Sequence, residues 1–369
     1  MQITAAVVQE KGAPFRLETL ELADPAPDEL VVRVVASGIC QTDVHGRDDY
    51  FGIPYPCVFG HEGAGIVERV GSAVRKVAPG DPVVMFSPSC GECQACLRKL
   101  PGYCAAARRI KFSGLLRNGC PPLKRGGQAV HGAFFQQSSF ATHALATEAN
   151  VVKVPRELPL GLAAAFPCGI NTGAGAVLNA LRPGAGSSFA VFGSGAVGLA
   201  ALMAARIASC DVRIAVDLHE NRLALARELG ATHVFNARAV DAVAAIRDAT
   251  GGKGVEFSLE AAGDPRALRQ AVDCLSPLGV CCLVGSARTG TEVALDMVGI
   301  QLGRTVRGCI QGDAPGDEFI PALVGHWRGG RLPVEPLVTY YDFADINRAV
   351  EDSLSGRTVK AVLRIGREI

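Results

Sequence analysis

Cys90, Cys93, Cys96 and Cys104 place four thiols within fifteen residues, spaced C-x2-C-x2-C-x7-C. Four thiolates so close together suit a tetrahedral zinc ion in a closed, structural site. Spacing alone leaves other readings open: four buried free thiols, a redox pair within a C-x-x-C unit, or an iron–sulfur cluster, since C-x2-C-x2-C also begins ferredoxin runs. Against the last, the later spacing differs and no terminal Cys-Pro follows. The chain has 13 cysteines. An odd total does not suit a secreted disulfide frame, and in a reducing cytosol such a cluster points to a metal.

A second chemistry belongs to phosphate. The apolar run 188–192 leads into Gly193-Ser194-Gly195-Ala196-Val197-Gly198. In G-x-G-x-x-G between a strand and a helix, the glycines allow a tight turn and let a pyrophosphate approach the backbone at the helix N-terminus. The next strand ends at Asp217, where a carboxylate accepts from the adenosine ribose hydroxyls and repels a 2′-phosphate. NAD is therefore expected over NADP. Arg222 works against that expectation, because a nearby arginine can hold a 2′-phosphate. Val197 in the turn and Val284 at a later strand end are counted with the cofactor-binding residues. A glycine loop used only for packing, with Asp217 a solvated strand-end acid, is the bland alternative.

These residues need elements to position them. The run 29–37 reads as a strand in a β-rich N-terminal region punctuated by Pro54, Pro56, Gly60, Gly63, Gly65, Gly71, Pro79 and Gly80. The cysteine lobe occupies about 88–106. The stretch 105–138 is basic, glycine-rich and without clear period, and is expected to be a long loop. From about 186 the texture alternates. Strands are expected at 188–192, 212–216, 232–235, 255–259, 279–284 and near 305–310, with helices at 196–209, 221–229, 240–249 and 265–275 between them. That pattern predicts an α/β fold with a six-stranded, parallel, doubly wound sheet. The tail returns to mixed texture and ends in a strand, 358–365. The domain boundaries follow: residues 1–169 and 311–369 form the catalytic unit, and 170–310 the dinucleotide unit.

A net charge of +1 supplies no field to recruit nucleic acid or an anionic membrane. The N-terminus lacks a basic region followed by an apolar one, so no signal peptide is read. Two uncharged stretches, 158–181 and 183–205, are long enough to mimic membrane spans but are broken by glycines. A cytoplasmic protein is expected.

Cys40, His61, Glu62 and Cys168 are scattered. Each alone suits a structural role, and spacing cannot join them. Gly60-His61-Glu62-x2-Gly65-x5-Gly71-x2-Val74 and Gly38-Ile39-Cys40-x-Thr42-Asp43 can, together with the four-cysteine lobe, Cys168-Gly169 and the nucleotide turn, all in order. With these motifs the chain resembles, end to end, the zinc-containing medium-chain dehydrogenase/reductases, whose first domain is GroES-like. Residues 38–65, 134–145 and 168–181 look most like bacterial aryl (benzyl) alcohol dehydrogenases.

The resemblance implies two zinc ions per chain and a homodimer or homotetramer that pairs nucleotide-domain sheets, with 280–284 and 299–310 available for that contact. It implies that Cys40, His61 and Cys168 hold the catalytic ion, with Glu62 a fourth ligand or a nearby carboxylate. Asp43 would orient His61. Thr42 and His45 would relay the alcohol proton to solvent, a task for which histidine has a suitable pKa. Thr172 would pack on the nicotinamide, and Lys360 would contact the pyrophosphate. Gln41 departs from the family, which often has Arg or His there. Phe51, Phe86, Phe134 and Phe135 fall at or near pocket positions, and such a lining suits benzyl alcohol or an allylic alcohol such as geraniol. Two rivals remain. One is a relative acting on short aliphatic alcohols, or on a glutathione adduct held by Arg108, Arg109 and Lys111. The other is a nucleotide-binding relative without activity, against which the intact Cys40, His61, Cys168, Thr42 and His45 set argues.

Overall fold

The computed structural model describes residues 1–367, which form two compact units. The first comprises Met1–Cys168, Pro315–Val324 and Leu337–Ile369. The second comprises Gly169–Ala314 and Gly325–Pro336. Residues 325–336, expected in the first unit, thus belong to the second. Leu332 and Val334 in that segment are fully buried, so the segment needs a core to pack against.

The first unit is mainly β. Its largest sheet centres on Glu29–Gly38, which pairs antiparallel with Gly63–Val70 on one side. On the other side it pairs with His143–Thr147 near its start and Lys360–Arg364 near its end. Glu29–Gly38 is buried along almost its whole length, as a central strand covered on both faces should be. A second sheet joins Gln2–Val8, Arg16–Leu22, Leu123–Arg125, Gln128–Val130 and the short Cys57–Val58.

The stretch 105–138, expected as a loop, carries the helix Ala107–Phe112 and a hairpin of Leu123–Arg125 with Gln128–Val130. Gly126 and Gly127 turn the hairpin with φ of +54° and +82°, the left-handed pair that a two-residue hairpin requires. The helix is under two turns long, too short to show a period.

The second unit is a six-stranded parallel sheet in the order His233–Asn236, Val212–Asp217, Ser188–Phe192, Val255–Glu260, Leu275–Leu283, Thr305–Gly308. In sequence order that is 3-2-1-4-5-6, the doubly wound arrangement with its switch point beside the first strand. Ala190, Phe192, Ile214, Val216 and Ile246 fill its core. Asp241 caps the helix Ala242–Ala249 and Asp264 caps Pro265–Asp273, each by accepting backbone N–H bonds. The helical stretch Leu160–Leu181 is the one segment among the described residues long and apolar enough to cross a membrane. It is 89% buried inside the protein, as a core helix is.

Candidate active site

Cys40, at the N-cap of the helix Gln41–Arg47, His61 and Glu62, just before the strand Gly63–Val70, and Cys168, in a π-helical turn Phe166–Ile170, converge within the first unit. One ligand atom from each lies within 4.8 Å of the others. The sulfurs of Cys40 and Cys168 are 3.9 Å apart. Two sulfurs 2.3 Å from a tetrahedral ion would stand about 3.8 Å apart. The donor set therefore has the spacing zinc needs.

Asp43 fixes the orientation of His61. Its Oδ1 accepts from His61 Nδ1 at 2.7 Å and from the Gly60 N–H at 3.2 Å, and its Oδ2 accepts from the Cys40 N–H at 2.9 Å. With Nδ1 donating, the lone pair of His61 lies on Nε2. That atom is buried and has no protein partner among the described residues. An orphaned, buried imidazole nitrogen facing two thiols is what a metal ligand looks like without its ion. The Cys168 thiol, donating to Cys40, is the largest of the influences that hold Cys40 well below the usual thiol range.

Burial pushes the Glu62 carboxyl up to about 7, against the pull of the Lys360 ammonium. Glu62 Oε2 is ion-paired with Lys360, whose Nζ also donates to the Ile39 carbonyl at 3.1 Å. Lys360, expected at the pyrophosphate, is instead buried beside the ligand set, because a carboxylate this deep needs a charged partner. Gly38 makes room for it: a Cβ there would sit 2.0 Å from Glu62 Oε2.

Thr42 and His45 lie three residues apart on one face of Gln41–Arg47. Thr42 Oγ1 is 3.8 Å from the Cys40 sulfur, and the His45 ring stacks on Tyr50 at 4.2 Å. Phe135 stacks on His61 at 4.6 Å. Phe112, which sequence reasoning missed, meets Phe135 edge-on at 5.3 Å and stacks on Phe51 at 4.1 Å. Phe134 is fully buried behind this wall against Phe59, and Phe86 is buried against Gly316. Those two are core residues of the site rather than its exposed face.

The segment 133–138 is strained, with Ala133, Phe135, Gln136 and Ser138 all at left-handed φ near +50°. Side chains hold it there. Gln137 donates to the His61 carbonyl and accepts from the Gly63 N–H, while Gln136 donates to the Ile110 and Leu115 carbonyls. These glutamines also escaped sequence reasoning, for no local pattern marks them.

In the cysteine lobe, Cys90 and Cys96 sulfurs are 3.9 Å apart and those of Cys93 and Cys96 3.5 Å apart. Cys104 joins them within the same 4.8 Å limit. Backbone N–H groups of Cys90, Cys93 and Ala105 donate to sulfurs of Cys104, Cys90 and Cys93. The bond from Ala105 is the largest cause that brings the Cys93 thiol down to about 6. None of the thirteen cysteines forms a disulfide. A four-thiolate metal site fits this geometry; a redox pair does not need the third and fourth sulfurs.

In the second unit the nucleotide turn is built as the glycines require. Gly193 has φ +97° and lies against Ala261 and Ala262, and a Cβ on Gly198 would strike the Gly193 carbonyl at 1.8 Å. Gly195 has no protein atom near its would-be Cβ, so that side is open to a phosphate at the N-terminus of Ala196–Ile207. Asp217 Oδ2 accepts from the Ser194 N–H at 2.6 Å, and Oδ1 accepts from Leu218 and His219. Arg222 stands in the first turn of Glu220–Glu228, its Nε buried without a partner among the described residues. Gly173, next after Thr172 in the helix Asn171–Gly175, packs directly on the Val197 carbonyl. Val284 follows the strand Leu275–Leu283 and donates to the Glu260 carbonyl.

Residues 26–156 match the family model of the alcohol dehydrogenase GroES-like domain, and residues 196–324 that of the zinc-binding dehydrogenases. Geraniol dehydrogenase of Castellaniella defragrans is 41% identical over 364 residues, covering 97% of this chain and 96% of the relative. Two crystal structures superpose over 99% of both chains. One is an alcohol dehydrogenase zinc-binding domain protein from Burkholderia ambifaria, 47% identical with a TM-score of 0.96. The other is benzyl alcohol dehydrogenase from Acinetobacter calcoaceticus, 43% identical with a TM-score of 0.95.

Proposed function

The chain belongs to the zinc-containing medium-chain alcohol dehydrogenases, and within that family we propose that it oxidises primary aromatic or allylic alcohols reversibly to aldehydes with NAD. The observation that carries the substrate class is the aromatic wall of Phe51, Phe112 and Phe135, the last of which stacks on His61. A flat, unsaturated substrate gains most from such rings. Both named relatives, a benzyl alcohol and a geraniol dehydrogenase, take unsaturated alcohols.

We propose two zinc ions per chain, one in the cysteine lobe and one held by Cys40, His61 and Cys168 with Glu62 adjacent. The second ion would supply a Lewis acid that acidifies the alcohol, and NAD would supply the hydride acceptor. The chain's own residues do the rest. Asp43 keeps His61 in its ligand tautomer, the Thr42 hydroxyl takes the alcohol proton, and His45 delivers it towards solvent. Asp217 reads the ribose and excludes a 2′-phosphate, while Gly195 leaves room for the pyrophosphate.

An NAD-reduction screen over benzyl alcohol, geraniol, ethanol and S-hydroxymethylglutathione tests this reading. The first two should give the highest kcat/KM, and turnover confined to ethanol or the glutathione adduct would sink it. His45→Gln tests the relay. It should lower kcat/KM by about tenfold or more near and below neutral pH, and less above pH 9, where hydroxide takes the proton directly. An unchanged pH profile would remove His45 from the relay.

The strand Thr305–Gly308 is one of the two edges of its sheet; Met297, Val298 and Leu302 are exposed shortly before it in sequence, and the exposed Leu278 donates its backbone N–H to the Leu302 carbonyl. An open apolar edge calls for a partner. We propose that it pairs with a second copy in a homodimer or homotetramer. Val306→Lys should shift the mass seen by light scattering towards the monomer, and an unmoved mass would exclude this edge.

A further inference from the structure

Lys111 lies on the helix Ala107–Phe112 and is only 4% exposed. Its ammonium stands 5.6 Å from the centre of the Phe135 ring, the ring that also stacks on His61. It forms no hydrogen bond or ion pair among the described residues. Burial brings its pKa down to about 8, with Cys104, Cys168 and Cys96 acting in the opposite direction through space. At neutral pH it still carries its proton.

An ammonium so largely withdrawn from water, with no hydrogen-bonded counter-ion and with thiolates acting on it only through space, is unfavourable. A cation–π contact with a single ring offsets only part of that cost. A pocket meant only for a neutral aromatic alcohol gains nothing from this residue, and a leucine or methionine would pack there without the cost. The next residue, Phe112, puts its ring against Phe135 and Phe51. One short helix therefore presents an aromatic surface and a buried cation side by side, next to the metal-ligand set.

We propose that Lys111 is a specificity-determining residue that pairs with a carboxylate carried by the substrate, an aryl alcohol with an acidic ring substituent lying against Phe112 and Phe135. The inference rests on the aromatic-alcohol reading given above and narrows it. The carboxylate would supply the hydrogen-bonded counter-ion that the chain does not place on the ammonium, and the pair would discriminate against substrates that leave it without one.

The test is the ratio of kcat/KM for 4-(hydroxymethyl)benzoate and its 3-isomer to that for benzyl alcohol, in wild type, Lys111→Met and Lys111→Arg. A charged hydrogen bond predicts a wild-type preference of roughly tenfold or more for a carboxylate-bearing alcohol. Lys111→Met should collapse that ratio by about 10- to 100-fold, mainly through KM, and Lys111→Arg should keep part of it. Melting temperature and zinc content of each variant are measured alongside. A ratio that is the same in wild type and Lys111→Met overturns the proposal. So does loss of zinc in Lys111→Met with both substrates failing together, since the ammonium would then serve the cysteine lobe. A wild type that oxidises benzyl alcohol or geraniol but neither carboxylate refutes this inference and leaves the parent reading standing. A wild type that oxidises no alcohol removes both.

Discussion

His61→Ala is expected to leave one tightly bound zinc per chain in place of the two proposed for the wild type, and to cut alcohol oxidation by about three orders of magnitude. The size follows from the chemistry lost. A Lewis acid contributes several kcal/mol to stabilising developing charge, and each 1.36 kcal/mol is a factor of ten. The specificity of the effect follows from geometry. His61 Nε2 is the neutral donor between two sulfurs, and Asp43 holds the ring so that this nitrogen faces them. Without the imidazole, Cys40, Cys168 and Glu62 remain as donors, with the Lys360 ammonium already engaged by Glu62, and three donors without the imidazole hold an ion less tightly. The cysteine lobe is separate in sequence and uses none of these residues, so its ion should stay. Metal analysis of the purified variant, with the turnover assay beside it, checks both halves. Two zincs with normal turnover would show that His61 is not a ligand. Loss of both zincs with a collapsed melting temperature would show that the substitution unfolds the unit, and Asp43→Asn then becomes the finer probe. That change keeps the ligand but removes the charge that orients it and one of the two oxygens that accept from His61, Gly60 and Cys40, with an expected loss of about 10- to 100-fold.

What could be read from the residues depended on how local each feature is. The six strands and their parallel, doubly wound class were legible, because each strand and helix carries its own apolar period and turn signals. The four-cysteine lobe was legible for the same reason, all its ligands falling within fifteen residues. The second ligand set was not. Cys40, His61 and Cys168 come from a helix start, a strand approach and a π-helical turn, and only the family motifs joined them. Lys360 shows the limit of that aid. Its position in the chain suggested the pyrophosphate, but its role is set by a carbonyl 321 residues away and by the carboxylate of Glu62. Lys111 and Phe112 sit on a helix of only six residues, within a stretch whose basic composition resembled a solvated loop. Nothing in the local sequence says that one of those cations is buried. The left-handed backbone at 133–138 is equally silent, since Ala, Phe, Gln and Ser do not favour it. Hydrogen bonds from Gln136 and Gln137 to other segments impose it.

Asp217→Ala is expected to lower kcat/KM for NAD by about 10- to 100-fold while leaving that for NADP equal or higher, so that the preference between them shifts by at least about tenfold. A hydrogen bond to a charged group is worth about 1.5–3 kcal/mol, which sets the first figure. The second depends on sign: a buried carboxylate at the ribose repels a 2′-phosphate, and removing it leaves Arg222 as the nearby charge. The structure also offers a competing account, because Asp217 accepts backbone N–H groups from Ser194, Leu218 and His219 and so braces the glycine turn itself. If bracing were its whole task, the turn would loosen for both cofactors, and the two kcat/KM values would fall by the same factor. The ratio therefore separates the two roles where the loss of activity alone would not. Asp217→Asn sharpens the contrast, since it keeps one acceptor oxygen for the turn and removes the charge. It should retain more of the melting temperature than Asp217→Ala and still move the ratio towards NADP. A ratio that stays at its wild-type value in both variants would remove the ribose from the role assigned to Asp217 and with it the charge argument for NAD.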